Sequence, residues 1–241
     1  MENKALIELN GFEDELIKSF GEQAFFQKLN QLSWAEINHV LLQRRFISHI
    51  FTPIYDLIID GLSDAEAKKI VRVLIREEYP DSQGNMPSHR EDLIYDLENL
   101  GIEKTEILAS RPSPQTTQFI TDSLEFVYKL SNEKNESLRN LGLLLMVRFW
   151  GEILISVEYK LLWSRLSERL NKKNSRFYYQ HYIHDQKKKG LDDLQTTLQS
   201  HADRTSILII KYIENNQDGF DFFKSTEKSL FDLKNSFYTQ F

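Results

Sequence analysis

The chain has 241 residues, of which 41% are hydrophobic and 27% charged, and its formal net charge is −6. This acidic balance disfavours nucleic acid as a partner, because phosphate binding needs a basic surface. The absence of cysteine excludes disulfides, zinc–thiolate sites and a thiol nucleophile.

Few helix breakers interrupt the chain, which contains 9 Gly and 5 Pro, and this favours a helical protein. Two capping boxes, each a serine followed three residues later by a glutamate, predict helix starts at Ser33 and Ser63. The first of these helices is predicted to run to about Asp60, because Gly61 follows. The second is predicted to end near Pro80, whose ring removes a backbone donor.

The rest of the chain continues this helical pattern, and no segment alternates with the two-residue period of a strand. Helices are predicted, approximately, at 88–100, 115–130, 136–170, 174–189, 191–215 and from 220 to the end. The predicted fold is therefore all-α, with residues 1–241 in a single helical bundle.

The longest apolar run, residues 141–163, has the length of a membrane span. It contains four ionisable residues: Arg148, Glu152, Glu158 and Lys160. These would be costly in a bilayer, so the run predicts a buried helix and no membrane partner. The acidic N-terminal residues lack the apolar core of a secretion signal, and the cytoplasm is the expected location.

Several predicted helices carry an acidic or imidazole side chain on their apolar face. These residues are Glu78 or its neighbour Glu77, His89, Glu152, and the pair His181 and Asp185 at positions i and i+4. A buried carboxylate is costly unless it is paired or bound to metal. Carboxylates and histidines from facing helices of a bundle are typical of a non-haem iron or manganese site.

Each of these residues also has a structural interpretation. Glu152 could form an ion pair with Arg148, four residues earlier on its own helix. His181 and Asp185 could be a local hydrogen-bonded pair, and His89 could simply pack against the next helix. Spacing alone therefore leaves a metal site and a structural role both open.

Four motifs follow one another between about residues 40 and 195: REEY, PSHREDL, RFWGEILISVE and YYQHYIHDQKK. In this order they resemble the haem-oxygenase-like di-metal oxidases, the group that includes the Chlamydia protein associating with death domains. That family has an acidic pair before an aromatic residue, a helix opening with SH, and an apolar helix with one inward Glu. Its last motif is aromatic–aromatic–x–His–x3–Asp–x2–His. The resemblance implies a haem-oxygenase-like bundle of about seven or more helices.

Carried over position by position, the resemblance implies five metal ligands, namely Glu78, His89, Glu152, His181 and Asp185. Glu77 is a rival for the first position and Glu158 for the third. Lys188 stands where the family has a sixth ligand, a histidine, and a protonated ammonium cannot bind a metal. Three consequences are open. The protein could hold a second metal only weakly, or His184 could take the place of the missing ligand. Alternatively, Lys188 could pair with Asp185 in a site without metal.

The function implied by the resemblance is an oxidase or oxygenase that activates dioxygen at an iron, or manganese–iron, centre. Its substrate would be a small molecule or a side chain of the protein itself. Tyr159, Tyr182 and Lys188 are the candidate catalytic side chains. The family also implies a homodimer.

Two other classes of function are open. One is a metal-independent enzyme similar to thiaminase II or pyrroloquinoline-quinone synthase, although thiaminase II uses a cysteine that this chain lacks. The other is a binding protein of the same fold that has lost its site. A haem oxygenase would need an axial histidine on an early helix, and the sequence around His39 and His49 does not resemble that family.

Overall fold

A computed structural model describes residues 3–81, 83, 85–191 and 201–241, and this part of the chain is helical and contains no strand. Its α-helices in chain order are α1 Asn3–Gly21, α2 Ala24–Lys28, α3 Trp34–Gly61, α4 Ala65–Glu77, α5 His89–Asn99, α6 Lys104–Ala109, α7 Pro114–Ser131, α8 Glu136–Leu145, α9 Leu154–Leu166, α10 Tyr178–His184, α11 His201–Glu214 and α12 Gly219–Tyr238. A 3₁₀ turn, Leu29–Gln31, follows α2. The predicted all-α fold is confirmed.

The capping box at Ser33 starts α3 as predicted, with the serine hydroxyl accepting from the Glu36 amide. At the second box the start is one residue later than predicted. Asp64 caps α4, and the Ser63 hydroxyl instead lies 3.3 Å from the Asn140 side chain on α8. A tertiary partner therefore displaced the local serine cap.

The apolar run forms the centre of the bundle, but it is not the single helix predicted for residues 136–170. A π-helical segment, Met146–Ile153, joins α8 to α9, and α9 ends at Leu166. By length and composition Glu136–Leu166 is apolar enough to cross a membrane, yet 94% of its most apolar window is buried inside the bundle. This burial identifies the stretch as the core helix. Helices α7, α10, α11 and α12 pack around it.

The helix predicted for residues 174–189 is much shorter, because α10 spans only Tyr178–His184. The following residues leave the helical path and attach to α1. The Leu191 amide donates to the Asn10 side chain at 3.3 Å, and Lys187 Nζ lies 2.6 Å from an Asp14 carboxylate oxygen. Of the helix predicted over 191–215, α11 is observed, and residues 192–200 lie outside the described part.

Candidate metal centre

The five ligands implied by the resemblance line one cavity of about 40 Å³. Glu78 is the C-terminal cap of α4, His89 is the first residue of α5 and Glu152 lies in the π segment Met146–Ile153. His181 belongs to α10, and Asp185 directly follows it. Such a volume holds roughly three water-sized groups. The structure thus brings together side chains that are up to 107 residues apart in the sequence, and their role as ligands stays a prediction.

Asp96 of α5 fixes the start of α10. Its buried carboxylate accepts four hydrogen bonds, from the Ser175 hydroxyl and from the backbone amides of Arg176, Phe177 and Tyr178. These amides are the donors that a helix N-terminus leaves without intrahelical partners. A cap from another helix therefore sets α10, and with it His181, against α5.

The imidazole of His181 is prepared as a neutral nitrogen ligand. Its Nδ1 donates to the carbonyl oxygen of Phe177 at 2.8 Å, which leaves the lone pair on Nε2. Burial, with a contribution from the nearby His89, lowers the pKa of His181 well below its ordinary value. Metal-bound histidines commonly have this arrangement of a backbone acceptor behind the ring.

Glu152 is held by a tyrosine on the facing helix α3. The Tyr55 hydroxyl donates to Glu152 Oε1 at 3.1 Å, and both side chains are buried. Gly151 makes this approach possible, because a Cβ at that position would lie 2.9 Å from the Tyr55 oxygen. The π segment matters as well, since π-helical turns often occur at functional sites.

Glu78 and His89 face each other across the loop between α4 and α5, with 3.2 Å between Glu78 Oε1 and His89 Nδ1. Burial opposes protonation of His89, but the hydrogen bond and charge of Glu78 outweigh it and raise the pKa of His89. The His89 and His181 rings lie 4.6 Å apart between centroids. Metal binding at His89 would therefore compete with protonation of the ring.

Asp185 shows that the cavity is rich in negative charge. Burial, followed by the charges of Glu152, Glu77 and Glu78, raises the pKa of Asp185 well above its ordinary value. Arg90 also lines the cavity, but its guanidinium donates to the carbonyl of His49 at 3.2 Å. A divalent cation would neutralise this cluster, so the donor set fits a metal ion.

The donors are near one another without being preassembled. Among residues 3–81, 83, 85–191 and 201–241, no three acidic or imidazole side chains already surround one point as metal ligands. His89 Nδ1, for example, is directed at Glu78. Metal binding would thus require side-chain rotations within the cavity.

The two rivals for the ligand positions differ in where they lie. Glu158 is buried against Arg44 and Lys234 and does not line the cavity. Glu77 is exposed, but it lines the cavity beside Glu78 and also an outer groove of about 210 Å³, formed by Glu77, Gln180 and His184 together with His89, His181 and Asp185, so it stays a rival for the first position.

The local ion pair of Glu152 with Arg148 is a wrong interpretation. Arg148 instead binds Glu13 through two nitrogens, at 2.5 and 2.8 Å. Glu13 lies on α1, 135 residues before Arg148, so no local pattern in the sequence indicates this pairing.

The candidate catalytic side chains have different positions. Tyr159 lines the cavity, and its ring centroid is 5.7 Å from that of His181. Tyr182 is half-buried against Tyr179 and does not line the cavity. Lys188 is exposed and follows the end of α10, so it does not extend the helix face of His181.

Sequence reasoning missed Tyr55 and Asp96, the two side chains that orient the site. Tyr55 lies one turn after Phe51 and two turns after Ser48, and all three line the cavity. A buried tyrosine usually has a hydrogen-bond partner for its hydroxyl, and this could have indicated from the sequence that Tyr55 contacts a polar group in the interior. No local sequence pattern indicated the role of Asp96, because its carboxylate accepts hydrogen bonds from residues about 80 positions later in the chain.

Ser88→Ala and Ser33→Ala are each expected to lower the free energy of unfolding by about 1 kcal/mol, because each serine caps a helix through the same capping box. Only Ser88 precedes a predicted ligand, His89, so we expect only Ser88→Ala to weaken metal binding as well. Urea unfolding and Co(II) titration of both variants measure the two effects. Equal metal affinities for the two variants would contradict a ligand role for His89.

Solved structures with the same fold are found across nearly the whole chain. A CADD-like protein of unknown function from Nostoc punctiforme matches with a TM-score of 0.67 and 17% identity, covering 97% of this chain and 96% of that one. A domain of unknown function with a heme oxygenase-like fold from Shewanella denitrificans matches with a TM-score of 0.64 and 15% identity, and the match covers 98% of this chain and 90% of that one. A TenA homolog from Pseudomonas syringae pv. tomato matches with a TM-score of 0.66 and 10% identity, and the match covers 99% of this chain and 94% of that one. No protein-family model and no curated protein matches the sequence. The chain therefore has the haem-oxygenase-like fold that the motifs implied.

Proposed function

We propose that this protein is a metal-dependent oxidase or oxygenase with a non-haem di-iron, or manganese–iron, centre. The observation that supports this function most is the small cavity that four parts of the fold line with four carboxylates, Glu77 among them, and two imidazoles. Such a donor set suits iron and manganese in helical bundles. The chemistry that this centre supplies when bound is the activation of dioxygen for oxidation of an organic substrate.

The ligands would be Glu78, His89, Glu152, His181 and Asp185, and two of them, Glu152 and His181, are held by neighbouring groups. Tyr55 is the support for Glu152, and burial together with the charge of Glu152 raises the pKa of Tyr55 well above its ordinary value. The phenol therefore stays protonated and remains a hydrogen-bond donor to the carboxylate. Supports of this kind orient a ligand and tune its basicity.

The substrate would approach through the outer groove. The inner cavity, about 40 Å³, leaves little room beside a metal ion, whereas the groove has about 210 Å³ and shares His89, His181 and Asp185 with it. Phe51 and Phe177 line the inner cavity and exclude water from its wall. If the protein oxidises one of its own side chains, Tyr159 is better placed than Tyr182.

A metal-independent enzyme of the same fold is the second candidate. The absence of preassembled donors in the described residues favours it, as does the similarity to a TenA homolog. Without cysteine, such an enzyme could not use a thiol nucleophile. Its binding site would be the same cavity and groove.

The test is metal analysis after anaerobic loading with Fe(II), followed by oxygen consumption, for the wild type, His181→Ala and His39→Ala. His39 is the control histidine, because it is exposed on α3 and lines neither the cavity nor the groove. Two irons per chain in the wild type and in the control, with loss in His181→Ala, are expected. One iron would keep a metal-dependent function but reject a di-metal centre. No iron in the wild type would favour the metal-independent enzyme.

A further inference from the structure

Glu13 of α1 is a buried carboxylate that binds two cations from separate segments. Its oxygens lie 2.5 and 2.8 Å from Arg148 nitrogens and 3.2 Å from Lys187 Nζ. Arg148 belongs to the π segment, four residues before Glu152, and Lys187 follows Asp185 by two residues. One carboxylate thus joins the two segments that carry two proposed ligands.

We infer that Glu13 is a positioning residue for the metal centre, holding the segments of Glu152 and Asp185 in place against α1. This inference rests on the proposed function for its consequence, the effect on metal binding. The joining of the two segments can be tested without any metal.

The segment after α10 depends on this contact because it has little backbone support. The Asp185 amide donates to the His181 carbonyl at 3.2 Å, and the following residues up to Leu191 form no helix. Lys187 also contacts Asp14, but the Asp14 side chain is 56% exposed, and exposed ion pairs contribute little. Glu13 is fully buried, so its contact with Lys187 is the stronger constraint.

The π segment depends on Glu13 in a second way. Arg148 is fully buried, and its Nε donates to the Ser206 hydroxyl at 2.6 Å while Glu13 binds the other two nitrogens. A bidentate guanidinium–carboxylate pair fixes direction as well as distance. Burial opposes ionisation of Glu13, but Arg148 and Lys187 outweigh it and hold the pKa of Glu13 below its ordinary value.

The test compares Co(II) binding, followed by visible absorption, in the wild type and Glu13→Gln. A 10- to 100-fold loss of affinity is expected, which is about the effect of removing an outer support of a metal site, together with a changed absorption spectrum. Two controls each remove one neighbouring contact. Glu227→Gln removes the other carboxylate that contacts Arg148, with its oxygen 3.5 Å away, and Asp14→Asn removes the other carboxylate that contacts Lys187. Both should bind Co(II) as the wild type does.

Lys187→Met provides a second variant in case Glu13→Gln does not fold. It removes the contact with Glu13 and leaves the buried Arg148 pair intact, so it should also lower Co(II) affinity, and by more than Asp14→Asn does. Wild-type affinity in Glu13→Gln or in Lys187→Met would overturn the inference.

Hydrogen exchange of the metal-free proteins separates this inference from the proposed function. In Glu13→Gln, amides of both Met146–Ile153 and residues 185–191 should lose protection, whereas each control should affect one segment at most. Unchanged protection of both segments in Glu13→Gln would overturn the inference. If the wild type binds no Co(II), the proposed function fails, and the exchange result still decides whether Glu13 joins the segments.

Discussion

Glu158→Ala is expected to lower the free energy of unfolding by about 3–5 kcal/mol, the usual cost of breaking a buried ion pair from one side. Glu158 is fully buried and accepts hydrogen bonds from Arg44 and Tyr238, and Lys234 Nζ lies 3.1 Å away. Alanine would leave the buried guanidinium of Arg44 without its anion. Urea unfolding of the metal-free variant measures this loss.

Glu152→Ala is the matched control, six residues earlier on the same central run. Here alanine removes the acceptor of the buried Tyr55 hydroxyl but also one of the carboxylates that raise the pKa of Asp185, so the metal-free protein should lose much less stability than Glu158→Ala does. Metal binding, in contrast, should be lost. If Glu158→Ala lost the metal at unchanged stability, the two glutamates would have exchanged roles, and the ligand assignment would be wrong.

The sequence alone left Glu152 and Glu158 as rivals, and the reason is physical. Both lie on a run that is buried on nearly every face, so periodicity does not distinguish a ligand from an ion-pair partner. The distinction comes from Arg44 on α3 and Lys234 on α12, which are over 70 residues away on either side. Contacts at such separations leave no local pattern.

Helix starts with a local cause were predictable from sequence, and those with a distant cause were not. The serine caps at Ser33 and Ser88 depend on residues three positions later, and both are observed. The start of α10 depends on Asp96, and its early end accompanies the attachment of Lys187 to α1. The predicted helix was therefore too long at both ends.

The same distinction between local and distant causes applies to the candidate site. The identity of its five side chains came from motifs, each of which lies within a single helix or turn. Glu152 and Arg148 instead find their partners on other helices, Tyr55 on α3 and Glu13 on α1, and these contacts leave no local pattern in the sequence. For this reason the sequence paired Arg148 with Glu152, whereas the fold separates them.

Lys234→Met is expected to flatten the pH dependence of stability between about pH 7 and pH 10. Burial lowers the pKa of Lys234 to about 7, although Glu158 opposes this, while a lysine in the unfolded chain keeps its ordinary value. Between these two pKa values the unfolded state binds a proton that the folded state does not. Stability contributed by this group therefore rises with pH, by up to about 1.4 kcal/mol per unit.

Methionine removes the titrating group and keeps most of the side-chain volume, so the variant isolates this contribution. Glu158 would still be paired with Arg44 and Tyr238, and the fold should therefore survive, in contrast to Glu158→Ala. Lys228→Met is the control on the same helix, because Lys228 is exposed beside Asp232. Urea unfolding of the metal-free proteins at several pH values gives the three profiles. A Lys234→Met profile parallel to the wild type would mean that Lys234 keeps its proton when folded, and that the ion pair with Glu158 persists throughout this range.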